Sequence, residues 1–428
     1  MKHNLFLLAV GISFLISSCD TITTEKPNLK DNQNANVVET EFVNPGIMTP
    51  EVMWKLGRLS DVQVSPDGKT LLFGVTKYCV TENKGNRNLF ILPVEGGTPK
   101  QITDFEGSEY NAVWRPDGQK IGFISGKSGS AQLWEMNADG NSLAQVSEIE
   151  GGISAFKYSP TGNKILFSKE VKVDKTTLDL YPDLPLANAK IYDELMYRHW
   201  DHWADESYSH IFVADYADGK VSNQKDLMTG ERFDAPREPF NGMEDVNWSP
   251  DGIKIAVSYK RQTGKEYATT TNSEVYIYDL VAGTNSNLTE NGFEGYDDEA
   301  VWSPDGKMLV WKSMATPGFE SDKNRIMIHS FADGQTVDYS EGFDQSSSGF
   351  VFSADYKILY FISGIEATYQ IYALDIATKV IAQITHGDHN YQSIALAGNQ
   401  IIGTKMSMKF PTEIFAVAQD GAETQLSF

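Results

Sequence analysis

The stretch Trp302-Ser303-Pro304-Asp305-Gly306-Lys307 reads as a four-residue turn between two apolar runs. Proline presets φ at about −65° in the second turn position, serine bonds back to the backbone at the first, and glycine is favoured at the fourth. Apolar residues alternate after it, with Met308 and Val310 on one side and Leu309 and Trp311 on the other, which predicts a β-hairpin. The same pattern stands at Val64-Ser65-Pro66-Asp67-Gly68-Lys69, Trp114-Arg115-Pro116-Asp117-Gly118, Tyr158-Ser159-Pro160-Thr161-Gly162 and Trp248-Ser249-Pro250-Asp251-Gly252. A decayed copy is Phe352-Ser353-Ala354-Asp355-Tyr356-Lys357, and the weakest is Ala397-Gly398-Asn399-Gln400. Successive turn prolines lie 44 to 54 residues apart, except Pro160 and Pro250, which are 90 apart.

A second hairpin follows each turn. Leu89–Thr103, Leu133–Ser147, Ile211–Leu227, Val275–Thr289, Ile326–Ser340, Ile371–Thr385 and Ile414–Ser427 each read as strand, turn and strand, most ending in a Leu/Ile-Thr/Ser signal. The two halves give seven units of two hairpins each. A period of roughly 40–50 residues with four strands per unit marks a β-propeller blade. The predicted fold is therefore all-β: a seven-bladed β-propeller over residues 50–428, built from Ser-Pro-Asp-Gly hairpin repeats. A lone blade cannot bury both its faces, whereas radial stacking can. The aromatics before the turns (Trp114, Tyr158, Trp248, Trp302, Phe352) are expected between neighbouring sheets, as core rather than as a site. The last unit finishes within itself at Ser427, which predicts a ring closed without a shared blade.

At 428 residues and 41% hydrophobic content the chain can bury a large core. Its length suits two or three domains, but the repeats run almost to the last residue and argue for one. A net charge of −22 opposes phosphate-backbone binding, so no nucleic-acid role is supported. Two cysteines, Cys19 and Cys79, are too few for a disulfide framework; Cys79, past the first hairpin, reads as a buried or half-buried free thiol.

Residues 1–18 read as an export signal, with Lys2 as the positive end and an apolar run from Leu5 to Ile16 that is too short to span a bilayer. Ile16-Ser17-Ser18-Cys19 resembles the bacterial lipobox. That resemblance implies lipidation at Cys19 and an anchor that does not span the membrane, the alternative being an ordinary secretory signal with an incidental cysteine. The expected location is the bacterial cell envelope, lipid-anchored, on the periplasmic side or the surface. Residues 19–49 read as a flexible polar tether. Thr49-Pro50-Glu51 opens a short amphipathic piece, Val52–Leu59, of one or two helical turns.

The long gap is the one departure from the repeat. Residues 168–210 form an insertion dense in aromatics, histidine and carboxylates, including Ile191-Tyr192-Asp193-Glu194-Leu195-Met196-Tyr197-Arg198-His199-Trp200-Asp201-His202-Trp203. Insertions into repeat proteins fall in loops on one face and often carry binding. The competing reading has Tyr192, Trp200 and Trp203 plugging the insertion onto a blade edge, with Arg198 and Asp201 paired beneath them. His199, Asp201 and His202 lack a clear third ligand at metal-site spacing, so no metal and no other cofactor is predicted. Tyr296-Asp297-Asp298-Glu299 and His386-Gly387-Asp388-His389 are expected as solvated loops just before inner strands.

The repeated Trp-Ser-Pro-Asp-Gly-Lys turn resembles two groups, the periplasmic TolB propeller and the N-terminal propeller of prolyl oligopeptidase family serine peptidases. Tyr192 to Trp203 resembles a segment of the dipeptidyl peptidase 5 and acylaminoacyl-peptidase branch of the second, and the resemblance covers roughly residues 50–428. In that family a separate α/β-hydrolase domain carries the nucleophile on a Gly-x-Ser-x-Gly elbow. The nearest run, Gly126-Lys127-Ser128-Gly129-Ser130, fails at its last position, so no catalytic residue carries over. The resemblance implies a non-catalytic propeller that gates and binds short peptides, truncated before or encoded apart from its serine-hydrolase partner. It further implies acidic groups that hold a substrate's free amine. The substrate-binding candidates are Glu194 or Asp193 for the amine, Arg198 as an alternative anchor for a carbonyl or carboxylate, and Trp200 beside them. The other reading is a stand-alone TolB-like envelope lipoprotein that binds proteins.

Overall fold

The computed structural model describes residues 46–238 and 242–428. The export signal over residues 1–18, Cys19 and residues 20–45 of the tether lie outside the described residues. Nearly every element is a strand. Among the described residues there are five separate four-stranded antiparallel sheets, one two-stranded pair, Arg198–His199 with His202–Trp203, and one eight-stranded sheet, whose four-stranded halves meet at a single parallel pair, Tyr369 with Asn390. Each four-stranded group is a meander of successive strands, so the chain forms a propeller.

The first strands of these groups are Arg58–Val64, Tyr110–Trp114, Ala155–Tyr158, Val246–Trp248, Asp297–Trp302, Ser347–Phe352 and Asn390–Ala397. Neighbouring first strands pack together; between the third and fourth groups the one-turn segment Met243–Asp245 makes the contact. Asn390–Ala397 in turn packs on Arg58–Val64. The ring thus closes side by side, and the last group is completed by its own fourth strand, Glu423–Gln425.

The turn chemistry is local and repeated. Ser65 Oγ donates to Asp67 Oδ1 at 2.6 Å and accepts the Thr70 amide N–H at 2.9 Å, while the Gly68 N–H bonds Ser65 O at 2.8 Å. Ser249, Ser303 and Ser353 make the same bonds. The turns also stack on one another. A Cβ on Gly118 would lie 3.7 Å from Pro66, one on Gly306 3.6 Å from Pro250, and one on Gly68 3.8 Å from the Gly398 nitrogen. The last of these joins the weakest turn to the first.

The hydroxyl that ends each second hairpin also has a task. Thr103, Ser147, Thr289, Ser340, Thr385 and Ser427 each accept the amide N–H of the first core residue of the third strand, 13 or 14 positions earlier, at 2.8 to 3.1 Å. Such a bond satisfies a buried donor that the ladder leaves open. In the third group Met228 Sδ stands in for the hydroxyl, 3.5 Å from the Ile211 nitrogen.

Burial follows from the stacking. The five aromatics before the turns are all buried. The expected alternation after Gly306 gives way to continuous burial at Leu309, Val310 and Trp311, because neighbouring sheets cover both faces. Asp61, Asn111 and Glu299 bulge from first strands in the left-handed region, at φ 56°, 48° and 53°. Two of these bulges tie groups together: Asn111 Oδ1 accepts the Phe156 N–H at 2.6 Å, and the Glu299 N–H donates to Asp245 Oδ1 at 3.1 Å.

Three expectations are corrected. The helix capped by Thr49 is only Pro50–Lys55, because Arg58 and Leu59 already pair with Thr76 and Val75. Cys79 is an exposed thiol, since it ends a strand, Thr70–Cys79, that runs out past the sheet. Strands Lys164–Lys172 and Ser207–Ala217 stay paired as far as Lys172 with Ser207, so the insertion is 173–206 rather than 168–210.

Candidate functional site

Strand direction alternates within each group, so one face of the propeller carries the loops between second and third strands and those between groups. The insertion joins a second strand to a third and therefore lies on this face. Helix Pro50–Lys55 and the end of the last strand, Glu423–Gln425, lie on it too. So do exposed apolar side chains from several groups: Trp54, Tyr78, Trp203, Phe319, Tyr369 and Met408.

The insertion is built on local bonds. Thr176 caps helix Thr177–Leu180 in a reciprocal box with Asp179, each backbone N–H bonded to the other's side chain at 2.9 and 3.0 Å. Lys172 also bonds Asp179, and these bonds hold its carboxyl well below the usual carboxylate range. Farther on, Tyr192, Tyr197 and Trp203 pack as three rings with centroids 5.8 to 6.2 Å apart. Tyr192 Oη donates to Ala204 O at 2.8 Å and fixes the group to the insertion's return strand.

Beside these rings opens a cleft of about 600 Å³, lined by Tyr192, Asp193, Glu194, Leu195, Tyr197 and Lys265. Glu194 leans on the fourth group: a Cβ at Gly264, the first residue of helix Gly264–Thr269, would sit 2.3 Å from its carboxylate. Glycine at φ 59° is what permits that approach.

The structure brings Asp193 and Glu194 together in the cleft and leaves Arg198 and Trp200 outside it. Arg198 is spent locally, its guanidinium 5.2 Å over the Trp203 ring and its Nε donating to Trp200 O at 3.0 Å. Trp200 stands at a hairpin tip, 67% exposed and at φ 51°. The plug reading is corrected. Trp200 and Trp203 are exposed, and Asp201 lies 3.3 Å from His202 rather than against Arg198. Among the described residues no group of three or more His, Cys, Asp or Glu is placed to hold a metal.

Sequence reasoning missed two features here. One is Lys265, the only cation lining the cleft among the described residues, contributed from the next group. The other is an acidic patch at the insertion's root. Burial pushes Asp234 up to about 7, and Glu238 and Glu170 add to it, against the Ser209 N–H bond at 2.8 Å. Burial likewise raises Glu170, helped by Asp205 and Glu238. Burial works against a charge on His210, yet its 3.0 Å bond to Asp226 leaves its pKa above the ordinary value.

Of the two expected solvated loops, the first is corrected and the second holds apart from His389. Asp297 and Asp298 are buried in a first strand. Arg237 bonds Asp298 at 2.8 Å and lies 4.5 Å over Tyr296, while Lys312 reaches Glu299 at 2.7 Å. Burial pushes Asp297 up to about 7 despite the 3.0 Å bond from Trp311 Nε1. These residues are covered because the neighbouring group packs over them. In the second loop His386 and Asp388 are exposed, but His389 is tucked 3.5 Å from Glu423.

A family profile of the TolB β-propeller domain matches residues 54–194. Dipeptidyl-peptidase 5 of Porphyromonas gingivalis is 40% identical over 370 residues, which are 86% of this chain and 54% of that protein. The chain spans about half the length of the curated relatives it matches. Among solved structures, Pyrococcus horikoshii acylaminoacyl peptidase superposes with a TM-score of 0.66 at 19% identity, over 88% of this chain and 53% of that one. The β-propeller domain of the Trilobed protease from Pyrococcus furiosus, described as an open velcro topology, gives 0.57 at 16% identity, over 87% of this chain and 98% of that one. At these identities the two structures speak for the fold alone.

Proposed function

Because this chain is homologous to dipeptidyl-peptidase 5 proteins over about half of their length, we propose that it is the substrate-gating and peptide-binding propeller of an exported serine peptidase. Its four-stranded groups are read as seven blades, the two halves of the eight-stranded sheet being the sixth and seventh. Cleavage is then assigned to a separate serine-hydrolase domain, as the family resemblance implies. That domain docks on the face carrying the insertion and the end of the last strand, where exposed Trp203, Tyr369 and Met408 supply apolar contact.

The observation that carries this reading is the juxtaposition of Asp193 and Glu194 in one open cleft on that face. Carboxylates accept charge-assisted bonds from an ammonium, and the free amine of a peptide is such a group. Arg198 and Trp200 are given no direct substrate contact, since both lie outside the cleft. Export and anchoring through Cys19 place the enzyme in the cell envelope.

The test is to fuse the catalytic half of the Porphyromonas gingivalis relative after Phe428. The chain alone is expected not to release the anilide from a dipeptidyl-anilide, and the fusion to release it in a reaction blocked by a serine-directed phosphonate. Release by the chain alone, under the same block, would overturn the assignment of catalysis to the other half.

A further inference from the structure

The outer seam between the third and fourth four-stranded groups holds a half-enclosed cavity of about 220 Å³. Protein interiors seldom leave a void larger than a water molecule. An apolar cavity of about 150 Å³ is enough to take up benzene. This one is larger, and its walls have two chemically different parts.

The inner part is apolar and aromatic. Tyr259 stacks on Tyr276 with centroids 4.2 Å apart, and Phe233 stacks on Tyr259 at 4.8 Å. Val257, 5% exposed, forms part of the wall. The outer part is charged. Glu231 and Arg261 line the mouth as an ion pair at 3.2 Å, with side chains 42% and 50% exposed. A pair that exposed is weakly held and can exchange partners.

One buried polar group is left with an unspent proton. Tyr259 is 3% exposed, and its hydroxyl accepts a bond from Asn285 Nδ2 at 2.8 Å. Its own O–H has no acceptor among the described residues. The other two tyrosines of the cavity are spent: Tyr276 donates to Glu274 at 2.8 Å, and Tyr278 to Leu227 O at 2.5 Å. A buried hydroxyl proton without a partner is costly, and a ligand acceptor would satisfy it.

We propose that this seam is a binding site for an α-amino acid, or the zwitterion of a very short peptide, with an aromatic or branched apolar side chain. The side chain enters between Phe233, Val257 and Tyr276. The carboxylate takes bonds from Arg261 and from the Tyr259 O–H, and the ammonium takes Glu231. Each half of the mouth pair thereby trades its partner for a ligand charge of the same sign. Nothing in this assignment depends on peptide cleavage.

The probes are L-phenylalanine, 3-phenylpropionate, phenethylamine and toluene, titrated into the full chain by calorimetry with thermal-shift measurements alongside. L-phenylalanine is expected to bind and raise Tm. Each analogue lacking one charge is expected to bind about tenfold more weakly, the weight of one charge-assisted bond. Arg261→Ala should cost about tenfold and Tyr259→Phe severalfold, while Val257→Trp, which fills the cavity, should abolish binding. If Val257→Trp does not fold, the Arg261 and Tyr259 variants still decide, because Arg261 is half-exposed at the mouth and Tyr259→Phe removes only a hydroxyl. Absence of L-phenylalanine binding at millimolar concentration would overturn the site. So would toluene binding as well as L-phenylalanine, which would mark a plain apolar void, or unchanged affinity in Arg261→Ala.

Discussion

Replacing Ser147 by alanine removes one hydroxyl from the interior of the second group, and its cost can be worked out bond by bond. Ser147 is 2% exposed. Its Oγ accepts the Leu133 N–H at 2.8 Å and donates to Gln132 Oε1 at 2.7 Å. Gln132 Oε1 keeps a second bond, from the Ile149 N–H at 2.9 Å, so the amide side loses little. The Leu133 N–H loses its partner altogether, in a strand whose Leu133 side chain is fully buried. An orphaned buried donor costs about 1–3 kcal/mol, so Ser147→Ala is expected to lower stability by about 2 kcal/mol. Ser147→Thr should restore most of it, because threonine performs the same task at positions 103, 289 and 385. Exposed Ser142 serves as a control, expected to change stability by less than about 0.5 kcal/mol on conversion to alanine. The assay is urea unfolding at fixed protein concentration, read as the shift in midpoint at constant slope. A Ser147→Ala midpoint within error of the Ser142→Ala midpoint would refute the claim that these hydroxyls satisfy buried strand donors.

Other outcomes follow from the packing of the groups. Gly421→Ala places a Cβ 2.3 Å from Ile384 O at φ 84°, a backbone clash between the last group and the one before it; a loss of about 2 kcal/mol or more in urea unfolding is expected, and a neutral result would contradict the described seam. Burial pushes Glu109 up to about 7, against bonds from Thr103 and the charge of Arg87. A carboxyl with a raised folded pKa binds its proton more tightly when folded. Its contribution to stability is therefore full below the unfolded value of about 4.5 and is lost as pH rises through about 7. Glu109→Gln should flatten that fall, seen as a smaller drop in unfolding midpoint between pH of about 5 and 8; an unchanged drop would locate the titration elsewhere.

The fold was written in short, local chemistry. A Ser-Pro-Asp-Gly turn needs only four residues to specify itself, and the Trp, Tyr or Phe before it marks the buried side. The site was legible only as far as it is local. Asp193 and Glu194 are neighbours in sequence and remain neighbours in the cleft. Lys265 comes from the following group and Gly264 makes room for Glu194, a pairing that no spacing reveals. The acidic root is similar, because Glu170, Asp234 and Glu238 meet only when the third group is folded. The insertion's bounds differ because Ser168 to Lys172 and Ser207 to His210 are mostly polar in sequence, yet they pair as ladder, with Ser168, Ser209 and His210 buried in it. The acids from Asp297 to Glu299 read as a loop because their cover comes from elsewhere, Arg237 from the connection after the third group and Lys312 from the next strand. Met228 in place of a hydroxyl is the one break in the strand-end pattern. It falls in the third group, just past that group's last strand, Lys220–Asp226.

The central claim is that Asp193 and Glu194 hold the free amine of a peptide for a partner hydrolase. Its most direct measurement is kcat/KM in the reconstituted fusion for a dipeptidyl-anilide and for its N-acetylated counterpart, with Glu194 and with Glu194→Gln. Glu194→Gln is expected to lose about ten- to a hundredfold on the free-amine substrate, the worth of one charge-assisted bond of about 1.5–3 kcal/mol, and to change little on the acetylated one. An equal effect on both substrates, or none on either, would contradict it.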